Sequence, residues 1–84
     1  MGIGTILLKA MVARELLRRG SMDPQVFNDL VSKVMDTLRF NGYGVNDDDI
    51  TQLVDIISVK DGKISLSPDG LKYLETYSIL NQTS

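Results

Sequence analysis

The 84-residue chain contains no cysteine and no histidine. Without cysteine it can build neither a disulfide framework nor a thiolate zinc site, so nothing in it points to an oxidising compartment and a cytoplasmic protein is expected. The lack of histidine removes the commonest general base, the commonest metal ligand and the usual pH switch. Ser–His and Cys–His nucleophilic pairs therefore cannot be assembled, and the expectation is a non-catalytic protein with no metal and no cofactor. Long apolar runs are missing too. The helix-like stretch from Ile3 to Arg19 is too short and too charged for a membrane span and carries no small-residue cleavage site of a secretory signal.

What is present is ordinary globular composition, 43% hydrophobic and 24% charged. A domain of this length buries roughly 60 to 65% of its unfolded surface, enough for one thin core. The most informative stretch runs from Ile57 to Leu74. Ile57 and Val59 alternate on one strand, Ile64 and Leu66 on the next, and Asp61-Gly62 between them suits a type I′ turn, whose central residues both take positive φ. This spacing predicts a hairpin with Val59 opposite Ile64 and Ile57 opposite Leu66. A lone two-stranded ribbon is marginal in water, so these four side chains are expected to lie on helices.

Four helices are predicted around it. In residues 3–19, Ile3, Ile6, Ala10, Ala13 and Leu17 form an apolar stripe widened by Leu7, Leu8, Met11 and Val12, with Arg14, Glu15, Arg18 and Arg19 opposite. Asp23 as N-cap and Pro24 in the first turn open a second helix with Val26, Phe27, Leu30, Val31, Val34 and Leu38 on one face. Asn41-Gly42 stops it, and Phe40 and Tyr43 are expected to cover the core edge. A third helix starts at Asn46, with Asp49 reaching back and Val45 stapled to Ile50, and presents Ile50, Leu53, Val54 and Ile57. Ser67-Pro68 starts the last, running to about Leu80 with Leu71, Leu74 and Tyr77 or Ser78 inward; Tyr73, Ile79 and Leu80 form a second apolar side, and residues 81–84 a polar, frayed end. The expected core is Val26, Phe27, Leu30, Val34, Leu38, Ile50, Leu53, Val54, Ile57, Val59, Ile64, Leu66, Leu71 and Leu74.

Charge is unevenly spread. Residues 1–20 hold Lys9, Arg14, Arg18 and Arg19 against Glu15, a net of +3, and residues 21–84 hold five basic against ten acidic residues, a net of −5. A basic helix ahead of an acidic body suits a segment that docks on its own neighbour or on an acidic partner. Gly20-Ser21-Met22, like Met1-Gly2, also resembles the residues left where two coding segments are joined. The organisation read here is a basic amphipathic helix at 1–19, a linker at 20–22 and a domain at 23–84, the helix being either native or a fused partner.

Candidate ligand motifs fail on spacing. Aligning Gly62 with the sixth position of a calcium loop places Ile57, Val59 and Pro68 where carboxylates are required. Asp47, Asp48 and Asp49 point about 100° apart on a helix and favour its dipole instead of converging. Gly42-Tyr43-Gly44 follows no strand and is not a phosphate loop.

The order of helices around a hairpin, with Ile64, Leu66, Ser67, Gly70 and Leu71 after the turn, resembles the winged-helix domains of small microbial regulators. The resemblance covers about residues 46–77. It implies that Asn46, Thr51, Gln52 and Asp55 of the third helix would face bases, and Lys60 and Lys63 phosphates. The third helix departs from that pattern, having four aspartates and no cation, although phosphate neutralisation supplies most nonspecific affinity. A degenerate winged helix binding protein fits an acidic surface better.

The expected fold is therefore mainly α with one hairpin, α+β and winged-helix-like. The expected function is a protein–protein interaction module that binds a basic amphipathic helix or self-associates as a dimer, with Ile3, Ile6, Leu7, Ala10, Arg14, Leu17 and Arg18 as contacts. Two alternatives stand beside it: a DNA-binding regulator using Arg14, Arg18, Arg19, Thr51, Gln52, Lys60 and Lys63, and attachment of the first helix to a membrane surface.

Overall fold

The structure, a computed structural model, describes residues 2–77. Seven elements follow in order: α1 (Ile3–Arg19), β1 (Ser21–Met22), α2 (Pro24–Phe40), a 3₁₀ helix η1 (Asp47–Ile56), β2 (Ile57–Lys60), β3 (Lys63–Leu66) and α3 (Pro68–Thr76). The fold is thus α+β, helices around a small antiparallel sheet. No helix of the described residues is long and apolar enough to cross a membrane.

The basic first helix is the centre of packing. Leu8, Val12, Ala13 and Leu16 of α1 are fully buried, and α1 touches α2, α3, η1 and β3. Its inward arc is Thr5, Leu8, Lys9, Val12, Ala13 and Leu16, so the stripe expected from Ile3 to Leu17 lies at the edge of the core: Ala10 and Ala13 are buried and Ile6 half-buried, but Ile3 and Leu17, at its ends, are exposed. Gly4 permits the close approach at the start of α1, where an added Cβ would press on the Gly44 carbonyl and on Val45. Val45 is accordingly buried, while its expected staple partner Ile50 is not.

Residues 20–22, read as a linker, carry structure. Gly20 takes φ 89° and donates its N–H to the Leu16 carbonyl at 2.9 Å, closing α1. Ser21 and Met22 then pair with Ser65 and Ile64, which makes β3 the middle strand in the order β1-β3-β2. Met22 is buried by that pairing.

The hairpin has the expected turn and register. Asp61 and Gly62 adopt φ 53° and 75°, and Ile57 pairs with Leu66 and Val59 with Ile64. Its burial is only half as expected: Ile64 is covered, but Val59 is 66% exposed. The reason is position in the sheet. β3 lies under α1 and α2, whereas β2 is an edge strand that, besides β3, meets chiefly η1 at its base.

Local signals set the remaining elements. α2 starts at Pro24, although the Asp23 carboxylate accepts from Lys63 Nζ at 2.6 Å instead of capping the helix. It ends as Asn41-Gly42 predicts, with Gly42 at φ 89°, Tyr43 N–H donating to the Leu38 carbonyl at 2.9 Å and Gly42 N–H to that of Arg39 at 3.0 Å. This is the Schellman pattern. Phe27, Leu30, Val31, Val34, Met35 and Leu38 are buried, while Val26 and, at the helix end, Phe40 are exposed and Tyr43 is marginally so.

The third helix is 3₁₀, and its period explains the exposure of Val54. With three residues per turn, side chains three apart eclipse, so Ile50, Leu53 and Ile56 share a row. Leu53 and Ile56 are buried at the end of that row and Ile50 emerges at its start; Val54, inward for a period of 3.6, is 72% exposed. At the N-terminus the Asp49 carboxylate accepts the Asn46 N–H at 2.9 Å, the expected reach-back.

α3 is aimed by its first turn. Ser67 Oγ accepts the Gly70 N–H and donates to the Asp55 carbonyl, both at 2.9 Å, while Ser67 N–H donates to the Ile56 carbonyl. A Cβ at Gly70 would meet the Ile56 carbonyl and the Leu66 side chain, so Gly70 must face inward. That turns Leu74 and Tyr73 toward α1 and leaves Leu71 exposed, reversing the expected roles of Leu71 and Tyr73. The expected contributions of Ser78, Ile79, Leu80 and the polar end lie outside the described residues.

Candidate interaction surface

Two polar contacts seat α1 on η1. Thr5 Oγ1 donates to Asp49 Oδ1 at 2.7 Å, and Lys9 Nζ lies 3.1 Å from Asp55 Oδ2. Lys9 is 3% exposed, with its ammonium 4.6 Å from the centre of the Tyr73 ring. The Asn46 N–H, and after it the Thr5 hydroxyl, hold the Asp49 carboxyl below its ordinary pKa. Burial, followed by the nearness of Tyr77 and Asp55, pushes Tyr73 up to about 12. Two of the four η1 carboxylates are thus turned to α1, and Asp47 and Asp48 remain outward. Sequence spacing gave no sign of Lys9, because a cation on an apolar arc reads as an interruption.

Opposite this seat α1 presents its open face. At 100° per residue, Ile3, Leu7, Ala10, Arg14, Leu17 and Arg18 fall within one arc, with Ile6 at its edge. Ile3 is 59% and Leu17 56% exposed, Arg14 and Arg18 are exposed, Ile6 and Leu7 half-buried, and Ala10 alone is buried. The residues expected to contact a partner therefore share one face. Arg14 belongs to it, not to the opposite side.

Beside this face a groove of about 220 Å³ runs between α1 and α2, lined by Met11, Arg14, Glu15, Leu30, Lys33, Val34 and Thr37. Sequence reading missed it, since Lys33 and Thr37 sit on the polar side of α2 and meet α1 only in three dimensions. Glu15, its acid, is held by Arg18 at 2.6 Å and Arg19 at 3.2 Å. Arg18, first as hydrogen-bond donor, keeps the Glu15 carboxyl below its usual range, and Glu15 raises Arg18. Arg14 and Lys33 make no ion pair among the described residues.

The cations of the DNA-binding reading are dispersed. Arg18 and Arg19 are bound to Glu15, and Lys63 to Asp23 at 2.6 Å. Lys60 stands near the hairpin turn, and Thr51 and Gln52 are exposed on η1, where Thr51 Oγ1 donates to the Asp48 carbonyl at 2.7 Å. No protein-family model matches the chain, and no curated protein or solved structure matches it.

Proposed function

We propose that the chain is a non-catalytic protein-interaction module, a degenerate winged-helix-like arrangement that docks a partner on the open face of α1. The observation carrying this reading is the exposure of Ile3 and Leu17 on the helix that otherwise forms the core. Ile3 and Leu17 stand about 21 Å apart at the two ends of this face, with half-buried Leu7 and exposed Arg14 between them, so a partner would lie along the helix. The seat for a basic amphipathic helix belongs to α1 itself, held by Lys9 and Thr5, so an outside partner meets α1 from its other side. The small antiparallel sheet, with its hairpin between η1 and α3, supports the winged-helix-like part of the reading.

DNA binding is the weaker reading, because three of its five cations are occupied by carboxylates and η1 keeps Asp47 and Asp48 outward. Membrane attachment is weaker as well, since most of the apolar arc of α1 is spent inside. An Ile3→Glu/Leu17→Glu variant tests the proposal. It is expected to keep the wild-type melting profile and to lose partners captured from lysate. Capture that is unchanged in the variant, or a salt-sensitive gel shift with duplex DNA by the wild type, would overturn the reading.

A further inference from the structure

We infer that the α1/α2 groove receives the outer face of η1 from a second copy of this chain. The inference goes beyond the interaction reading, because the groove lies beside the face that carries Ile3 and Leu17. On the acceptor side, Met11, Leu30 and Val34 provide an apolar floor between Arg14 and Lys33. The groove's acid is already engaged by Arg18 and Arg19, so its free charge is positive. The chain itself carries a complementary ridge. η1 presents Asp48 and Val54, 72% exposed, on one row, and at its open start Asp47, whose carboxylate lies 3.9 Å from Arg39, and Ile50, 41% exposed. Carboxylates beside aliphatic side chains match cations beside an apolar floor, in sign and in kind.

The two surfaces cannot meet within one molecule. η1 is seated on α1 at Thr5 and Lys9, and Arg14 lies about 180° from Thr5 around the helix at 100° per residue. Ridge and groove therefore sit on opposite sides of α1, and the contact is head to tail. A contact of this kind extends into a chain of copies rather than closing on itself as a two-fold dimer.

Sedimentation velocity of the whole protein over a range of concentration and salt tests this. The wild type is expected to rise from the 9.3 kDa monomer past twice that mass at low salt and to fall back at high salt. Arg14→Glu/Lys33→Glu gives an acidic groove against an acidic ridge, and Asp47→Lys/Asp48→Lys a basic ridge against a basic groove. Each variant alone is expected to stay monomeric. Mixed in equal amounts they should assemble, because every groove then meets a ridge of opposite charge; a merely misfolded variant would not recover on mixing. A wild type that is monomeric throughout, or variants that fail to assemble when mixed, overturns the second copy as occupant. The module reading would still stand if the Ile3/Leu17 variant loses its partners.

Discussion

Lys9 Nζ lies 3.1 Å from Asp55 Oδ2 and 4.6 Å from the centre of the Tyr73 ring, so one buried ammonium joins α1, η1 and α3. The Asp55 side chain is 58% exposed, which keeps the ion pair wet on one side. Such a pair contributes little by itself, about 0.2 to 1 kcal/mol. Packing of the lysine stem is the larger effect, because the side chain is almost wholly enclosed and each buried methylene is worth about 0.8 kcal/mol.

Lys9→Ala is therefore expected to cost about 2 to 3 kcal/mol in denaturant unfolding, combining several lost methylenes with a cation–π contact worth about 0.5 to 1 kcal/mol. Lys9→Met keeps the stem and removes the charge, and should fall within about 1 kcal/mol of wild type. If Met proved as damaging as Ala, the charge and not the stem would hold α1 in place.

What could be read in advance divides along a physical line. Features set by a few neighbouring residues were legible: the positive φ of Asp61 and Gly62, the register they impose, the stop at Asn41-Gly42, and the Ser67 cap. Features set by which element lies beside which were not. Val59 is exposed because β3, not β2, is the middle strand, and that depends on a two-residue strand too short to leave a pattern. Val54 points outward because η1 winds at three residues per turn, a change of period that an apolar spacing of three and four does not announce, whereas Ile50 is exposed because it stands at the open start of the row that Leu53 and Ile56 bury. The candidate partner face of α1 was found from its residue types, but its openness depends on Leu8, Val12 and Leu16 taking the core instead. The groove was invisible because Arg14 and Lys33 come from different helices.

Gly70 offers a second test, of the tight first turn that aims α3. Helix propensity alone would make Gly70→Ala stabilising by about 1 kcal/mol. A Cβ there collides with the Ile56 carbonyl, which is backbone, and with Leu66, so the expected result is a loss of about 1 to 3 kcal/mol. Gly44→Ala is the control, because a Cβ at Gly44 meets nothing within 4 Å. Thermal melts should show a lower Tm for Gly70→Ala and little change for Gly44→Ala.

The two ends of the pH range should strain different seams of the fold. Burial raises the Tyr73 hydroxyl from 10.0 to about 12, so the protonated form is favoured in the folded state; its contribution is complete below pH 10 and is lost as pH rises toward 12. An ultraviolet titration of the tyrosinate band should show one late component near 12, absent from Tyr73→Phe. The opposite sign holds for Asp49, whose carboxyl is lowered by the Asn46 N–H and then by Thr5. That contribution is present above the unfolded carboxylate value of about 3.9 and is lost as pH falls through the lower folded one. Thr5→Val removes one of the two donors, so carboxyl resonances followed by NMR should place the Asp49 midpoint higher in this variant, with a smaller acid-dependent loss at the α1–η1 seam that is complete at a higher pH than in the wild type. An unchanged midpoint would mean that the 2.7 Å contact between Thr5 and Asp49 does not hold α1 on η1 in solution.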